Sequence, residues 1–149
     1  MNNDIKEIED RLNDIIQKNE DAIKGYEKAA EHAQGINLQN YFRKKAIERS
    51  NFLIELKAAA PALKSREGVE GSAAGSMHRV WMDVKAFFSD DNDESMLEEA
   101  IRGDKAAIQE YNEVLADTHL PLEAATAIRN QRDWIYQDLQ KIKTLEDLI

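Results

Sequence analysis

The chain has no cysteine, which excludes a disulfide framework, a thiolate nucleophile, and zinc-finger or iron–sulfur ligation. Only two prolines, Pro61 and Pro121, and six glycines interrupt its 149 residues, too few punctuators for a fold of many short strands. Positive charge is scarce. Twenty Lys and Arg stand against 29 Asp and Glu, a formal charge of -9, so the field of the whole protein repels phosphate backbones and anionic lipid. Nucleic acid is not an expected partner. A membrane is not expected either, because no apolar run approaches the ~20 residues that a span needs. The opening MNNDIKEIEDRL has neither a basic n-region nor an apolar h-region, so a cytoplasmic protein is expected. A Gly-rich phosphate loop and a workable Ser/His/Asp spacing are both missing.

What remains is 42% hydrophobic and 33% charged, a composition that favours long amphipathic helices in one all-α domain over residues 1–149. Ile5, Ile8, Leu12, Ile15, Ile16, Ala22, Ile23, Tyr26, Ala30 and Ala33 recur at helical spacing and predict a first helix over about 3–34, stopped at Gly35. Leu38, Tyr41, Phe42, Ala46, Phe52, Leu53 and Leu56 predict a second over about 37–60, closed by Pro61. A third, about 93–117, opens after the acidic SDDNDE, whose Asp residues suit an N-cap and a first turn facing the helix dipole. A fourth, about 121–144, starts at Pro121. Short turns join helices 1 and 2 and helices 3 and 4, so each pair should run antiparallel. The crossover at 61–92 is long. It holds MHRVWMDVKAFF, an amphipathic segment with Val80, Trp81, Val84, Phe87 and Phe88 on one face. One long crossover between two hairpins is the ferritin-like arrangement of a four-helix bundle.

An internal repeat points the same way. NEDAIKGY from Asn19 and DKAAIQEY from Asp104 share Ala, Ile and Tyr at the same offsets. RSNFL from Arg49 and QRDWI from Gln131 echo each other more weakly.

Each inward stripe is broken near mid-helix by a polar residue: Asn19, Arg49 with Lys45 one turn earlier, Asp104, and Gln131. At similar heights these should form one polar layer, at the level where ferritin-like di-iron proteins hold metal with two Glu and two Glu-x-x-His motifs. Those ligands are not here. Ala29, Gly75 and Ala116 stand three residues before His32, His78 and His119. An inward Arg49 would set a permanent cation where a metal would sit, with donors suited to Asn19, Asp104 and Gln131. The expectation is a hydrogen-bonded core with no metal and no catalytic residue. An iron or manganese site drawn from Asn19, Glu48 and Asp104 is the alternative.

Three further features are absorbed by simpler readings. Glu27 and Glu31 lie on the flank of helix 1 as a solvated face, with His32 set against the helix dipole. DDNDESMLEE lacks the Gly and Glu positions of a calcium loop. Gly25 and Gly103 cost about 1 kcal/mol each in a helix relative to Ala, which implies close packing. The aromatic face of the crossover is expected to pack on the bundle or to join two copies in a homodimer.

GYEKAAE, HRVWMDVKA and GDKAAIQEY resemble a family of bacterial ferritin-like four-helix-bundle proteins of unknown function, over nearly the whole chain. The resemblance implies a shape similar to bacterioferritins and rubrerythrins and a stress-associated accessory role. Members often carry a His-Asp pair late in helix 4, and the matching position here is read as Leu139 followed by Gln140. The leading expectation is a non-enzymatic binding or accessory protein. A divergent metal-binding oxidase or storage protein, and a carrier of a small apolar ligand held between crossover and bundle, stand beside it.

Overall fold

The computed structural model describes residues 2–59 and 92–149, with side chains from residue 6 onward. These form an all-α four-helix bundle: α1 (Asn2–His32), α2 (Ile36–Ala59), α3 (Asp93–Leu115) and α4 (Leu122–Lys141), followed by a short 3-10 turn, Leu145–Leu148. The crossover at 61–92, with its amphipathic segment, lies outside the described residues save Asn92.

Local chemistry sets the ends. Asn92 caps α3, accepting a 2.8 Å hydrogen bond from the Ser95 N–H. The cap expected of the neighbouring Asp residues therefore falls to Asn92. Asp93 instead ties the bundle's turns together, its carboxylate accepting the Gln34 and Gly35 N–H groups at 2.9 and 2.8 Å and so pinning the α1–α2 turn to the start of α3. A Cβ at position 35 would stand 3.1 Å from that carboxylate, so glycine lets the two approach. α4 stops at Lys141, three residues short of the expected end, because Ile142 is extended and Thr144 and Asp147 form a capping box for the 3-10 turn.

α1 packs along α2, and α3 along α4, while α2 also meets α4 and α1 meets α3. Asn19 contacts Tyr111 and Tyr26 contacts Asp104, so α1 and α3 are antiparallel. Tyr41 meets Asp138 whereas Glu55 meets Gln131, so α2 and α4 are antiparallel as well. With both hairpins antiparallel, α2 and α3 point the same way. The end of α2 and the start of α3 therefore lie at opposite ends of the bundle.

Two apolar clusters fill the interior. Ile8, Leu12, Ile15, Phe52, Leu56, Tyr111 and Ile128 anchor one, and Tyr26, Leu38, Phe42, Met96 and Leu97 anchor the other. Where they meet lie the buried polar residues Asn19, Lys45, Arg49 and Asp104, and buried Gln131 sits inside the first cluster between Ile128 and Ile135. Among the described residues, no helix is long and apolar enough to cross a membrane.

Candidate functional site: a charge-balanced polar layer

Asn19 lies on α1 seven residues before Tyr26, and Asp104 lies on α3 seven residues before Tyr111. Seven residues is about two helical turns, so each pair shares one inward face. The contacts are reciprocal across the bundle. Tyr26 donates to Asp104 Oδ1 at 3.0 Å, and Tyr111 accepts from Asn19 Nδ2 at 3.1 Å. The repeat in the sequence is thus a repeat in space.

α2 supplies the cations. Phe42, Arg49 and Leu56 are spaced by seven and all are buried, which brings the guanidinium to the axis. Arg49 donates to Asn19 Oδ1 at 3.0 Å and to Asp104 Oδ1 at 2.6 Å. Lys45, one turn earlier, donates to Asp104 Oδ2 at 2.5 Å and to Asp138 Oδ2 at 3.0 Å. Tyr41 donates to the same Asp138 oxygen at 2.6 Å. At the other end of the chain of contacts, Gln131 accepts from Tyr111 at 2.9 Å and donates at 3.1 Å to the Phe52 carbonyl and to Glu55. The aromatic surroundings also favour the cations: Lys45 Nζ sits 5.7 Å from the Tyr26 ring centre and Arg49 5.8 Å from that of Phe52.

The charges balance. Lys45 and Arg49 face Asp104 and Asp138, giving two positive and two negative groups. Burial alone would push the Asp104 carboxyl up, but Lys45 and Arg49 outweigh it and hold the group below the usual Asp range. Burial likewise works against the charged form of both cations, and Asp104 more than reverses it, so both are held above their ordinary values. Tyr26 and Tyr41 are pushed up, first by burial and then by the Asp104 charge. They therefore act as neutral donors.

This donor set does not fit a resident metal. Both Asp104 oxygens and the Asn19 oxygen already accept hydrogen bonds from cations or a phenol. A metal ligand must offer free lone pairs, and a divalent ion here would meet two fixed positive charges. Among the described residues, no three His, Asp or Glu groups converge on a point. Glu48, the third member of the alternative ligand set, stands apart from Asn19 and Asp104. It is half-buried in a cleft of ≈ 780 Å³ on the α2/α4 surface, with Tyr41, Lys44, Trp134 and Asp138. Burial pushes its carboxyl up, opposed first by the Lys45 charge and then by the neighbouring Trp134 indole.

Several members of the layer are not among the four interruptions read from the sequence. Tyr26 and Tyr111 sit in the apolar stripes, and only their hydroxyls mark them as polar. Asp138 lies seven residues after Gln131, and that spacing is the signal that places it on the same face. The late carboxylate of α4 that the layer uses is this residue, one before the Leu139–Gln140 position. Leu139 instead packs on the apolar core, and Gln140 is exposed. The weaker echo between α2 and α4 also shifts. Phe52 is buried but its counterpart Trp134 is 50% exposed, and Ile135 takes the inward place. Lys18, also buried, pairs with Glu110 across α1 and α3. Glu27 and Glu31 are exposed, and His32 bonds the Lys28 carbonyl at 2.9 Å. Gly25 and Gly103 are buried. Val80, Trp81, Val84, Phe87 and Phe88 lie outside the described residues.

A family model described as "Domain of unknown function (DUF2383)" matches residues 7–117. That stretch contains Asn19, Tyr26, Lys45, Arg49, Asp104 and Tyr111, while Gln131 and Asp138 of α4 fall beyond it. Neither a curated protein nor a solved structure matches the chain. Because the match covers most of the chain, from α1 to the end of α3, this protein belongs to the DUF2383 family.

Proposed function

We propose that this protein is a ferritin-like helical bundle that works by binding rather than by redox chemistry, its metal position taken over by side-chain cations. The observation that carries this reading is the pairing of Asp104 with Lys45 and Arg49 at 2.5 and 2.6 Å. The ferritin-like part is supported by the parallel course of α2 and α3, which requires their ends to be joined along the length of the bundle. The layer fixes the register of four helices, since each contributes a hydrogen-bonding residue at one height. Contact with a partner then falls to the surface, in keeping with the accessory, stress-associated role that the family resemblance implies. An apolar ligand between crossover and bundle would involve residues outside those described.

The test is an anaerobic titration of the purified protein with iron(II) and with manganese(II), followed calorimetrically and by elemental analysis. No stoichiometric site is expected. Tight binding of two ions per chain would overturn the reading.

A further inference from the structure

The four helices divide unequally in charge. α1 and α3 together hold sixteen Asp and Glu against seven Lys and Arg, whereas α2 and α4 hold five against eight. Since α1 neighbours α3 and α2 neighbours α4, one side of the bundle is strongly acidic and the opposite side is not. Exposed apolar residues divide the same way. Among the described residues, every large hydrophobic side chain left exposed lies on α2, on α4, or after α4: Ile36, Ile47 and Ile54 at 62, 62 and 67%, with Leu122 and Trp134 at 79 and 50%, lead that group, while Tyr136 opens toward α3 beside Ile101 and Ile108. The three isoleucines fall eleven and seven residues apart, about three and two helical turns, and so form one ridge along α2.

A helix with Lys45 and Arg49 buried and isoleucines facing water inverts the usual pattern of an outer bundle helix. The inward charges are explained by the polar layer. Among the described residues, nothing accounts for the outward isoleucines.

We infer that the α2/α4 face is a self-association surface, joining two copies about a two-fold axis near the level of Ile47 and Trp134. Charge permits a second copy: with Lys45 and Arg49 buried, α2 and α4 leave six Lys and Arg against five Asp and Glu, so two such faces meet without net repulsion. A two-fold contact through this face buries the ridge while holding the two acidic α1/α3 sides as far apart as the dimer allows, whereas a contact through α1 and α3 would press like charges together. The size also suits a stable pair. α2 spans 24 residues and α4 spans 20; at ~1.5 Å per residue and an interaxial distance of ~10 Å the face measures on the order of 650 Å². That is close to the ~800 Å² per partner of a standard interface. The cleft holding Tyr41, Glu48 and Trp134 would then be roofed by the partner. This surface is distinct from the crossover stripe and holds whether or not the polar layer takes a metal, so the two proposals can fail separately.

The absence of cysteine makes the test direct. Sedimentation of the full chain should give a dimer of about 34 kDa, twice the 17.0 kDa chain. The exposed double variant Ile47→Glu/Ile54→Glu should sediment as a monomer with an unchanged helical circular dichroism spectrum. A single Ile47→Cys substitution should yield a cross-linked dimer with a bis-maleimide, and Glu27→Cys on the acidic side should not. A monomeric parent protein overturns the proposal. So does a dimer that survives the double Glu variant, one broken only by Trp81→Ala or Phe87→Ala in the crossover, or cross-linking through position 27 in place of 47.

Discussion

Replacing Asp104 by Asn removes one charge while leaving the volume of the side chain nearly unchanged. Asp104 accepts from Arg49, Lys45 and Tyr26 at 2.6, 2.5 and 3.0 Å, and it is 1% exposed. In the variant an amide NH2 must point at one of these donors, and the layer is left with two cations against Asp138 alone. Arg49 keeps Asn19 and Lys45 keeps Asp138, but neither can be hydrated where it sits. Breaking a buried pair in this way costs about 3–5 kcal/mol. For a chain of this length the midpoint of thermal unfolding should fall by roughly 6–20 °C. Urea unfolding should show a lower midpoint with an unchanged slope. The pH dependence gives an independent sign. Because the folded-state pKa of Asp104 is depressed, its stabilising share is fully present above the ordinary Asp value of ~3.9 and is lost as pH falls through the folded value. Asp104→Asn should therefore flatten part of the acid limb of the stability curve. A loss below about 1 kcal/mol, or an acid limb identical to that of the parent, would refute the role assigned to this carboxylate.

Lys18→Met offers a contrast between two buried ion pairs. Glu110, the partner of Lys18, keeps 19% of its side chain exposed and can be hydrated once the ammonium is gone. Chemical denaturation should register a loss of no more than about 1 kcal/mol, against several for Asp104→Asn, and equal losses would contradict the distinction. Glu48 can be followed optically. In a Trp81→Phe background the fluorescence of Trp134 should titrate with a midpoint above the ~4.3 of a free Glu, because burial raises the Glu48 pKa, and Glu48→Gln should abolish the transition. A raised acid opposes Asp104 in its effect: the folded state holds the Glu48 proton more tightly, so Glu48 lowers stability as pH rises from about 4.3.

Helix period and stop signals carried most of the fold. The stripe from Ile8 to Ala33 repeats at three and four residues with few breaks, and Gly35 sits where the chain must reverse beside Asp93. Topology was less direct, since only the length of residues 61–92 distinguished a crossover from a simple hairpin. At the site, Asn19, Arg49, Asp104 and Gln131 were legible because a polar residue inside an apolar stripe has no solvent to face. Tyr26 and Tyr111 were not, because a tyrosine satisfies an apolar stripe with its ring and reveals its hydroxyl partner only in three dimensions. Asp138 was harder to single out for another reason. At 18% side-chain exposure it lies at the rim of the layer, where periodicity separates inward from outward positions less sharply.

The balance of charge in the layer also restricts how such a bundle could exchange its side-chain cations for a metal. Removing Arg49 alone leaves Lys45 between Asp104 and Asp138, and an incoming divalent ion would then face an ammonium at hydrogen-bond distance from both carboxylates. Removing Lys45 alone leaves Arg49 on Asp104 Oδ1. Each single change leaves one cation against two carboxylates without freeing enough oxygen for coordination, and each therefore incurs the cost of a broken buried pair with no metal to offset it. Only the loss of both cations vacates the centre. On the reading proposed above, the layer is an alternative to a metal site separated from it by unfavourable single steps, because either cation left in place still holds the Asp104 carboxylate.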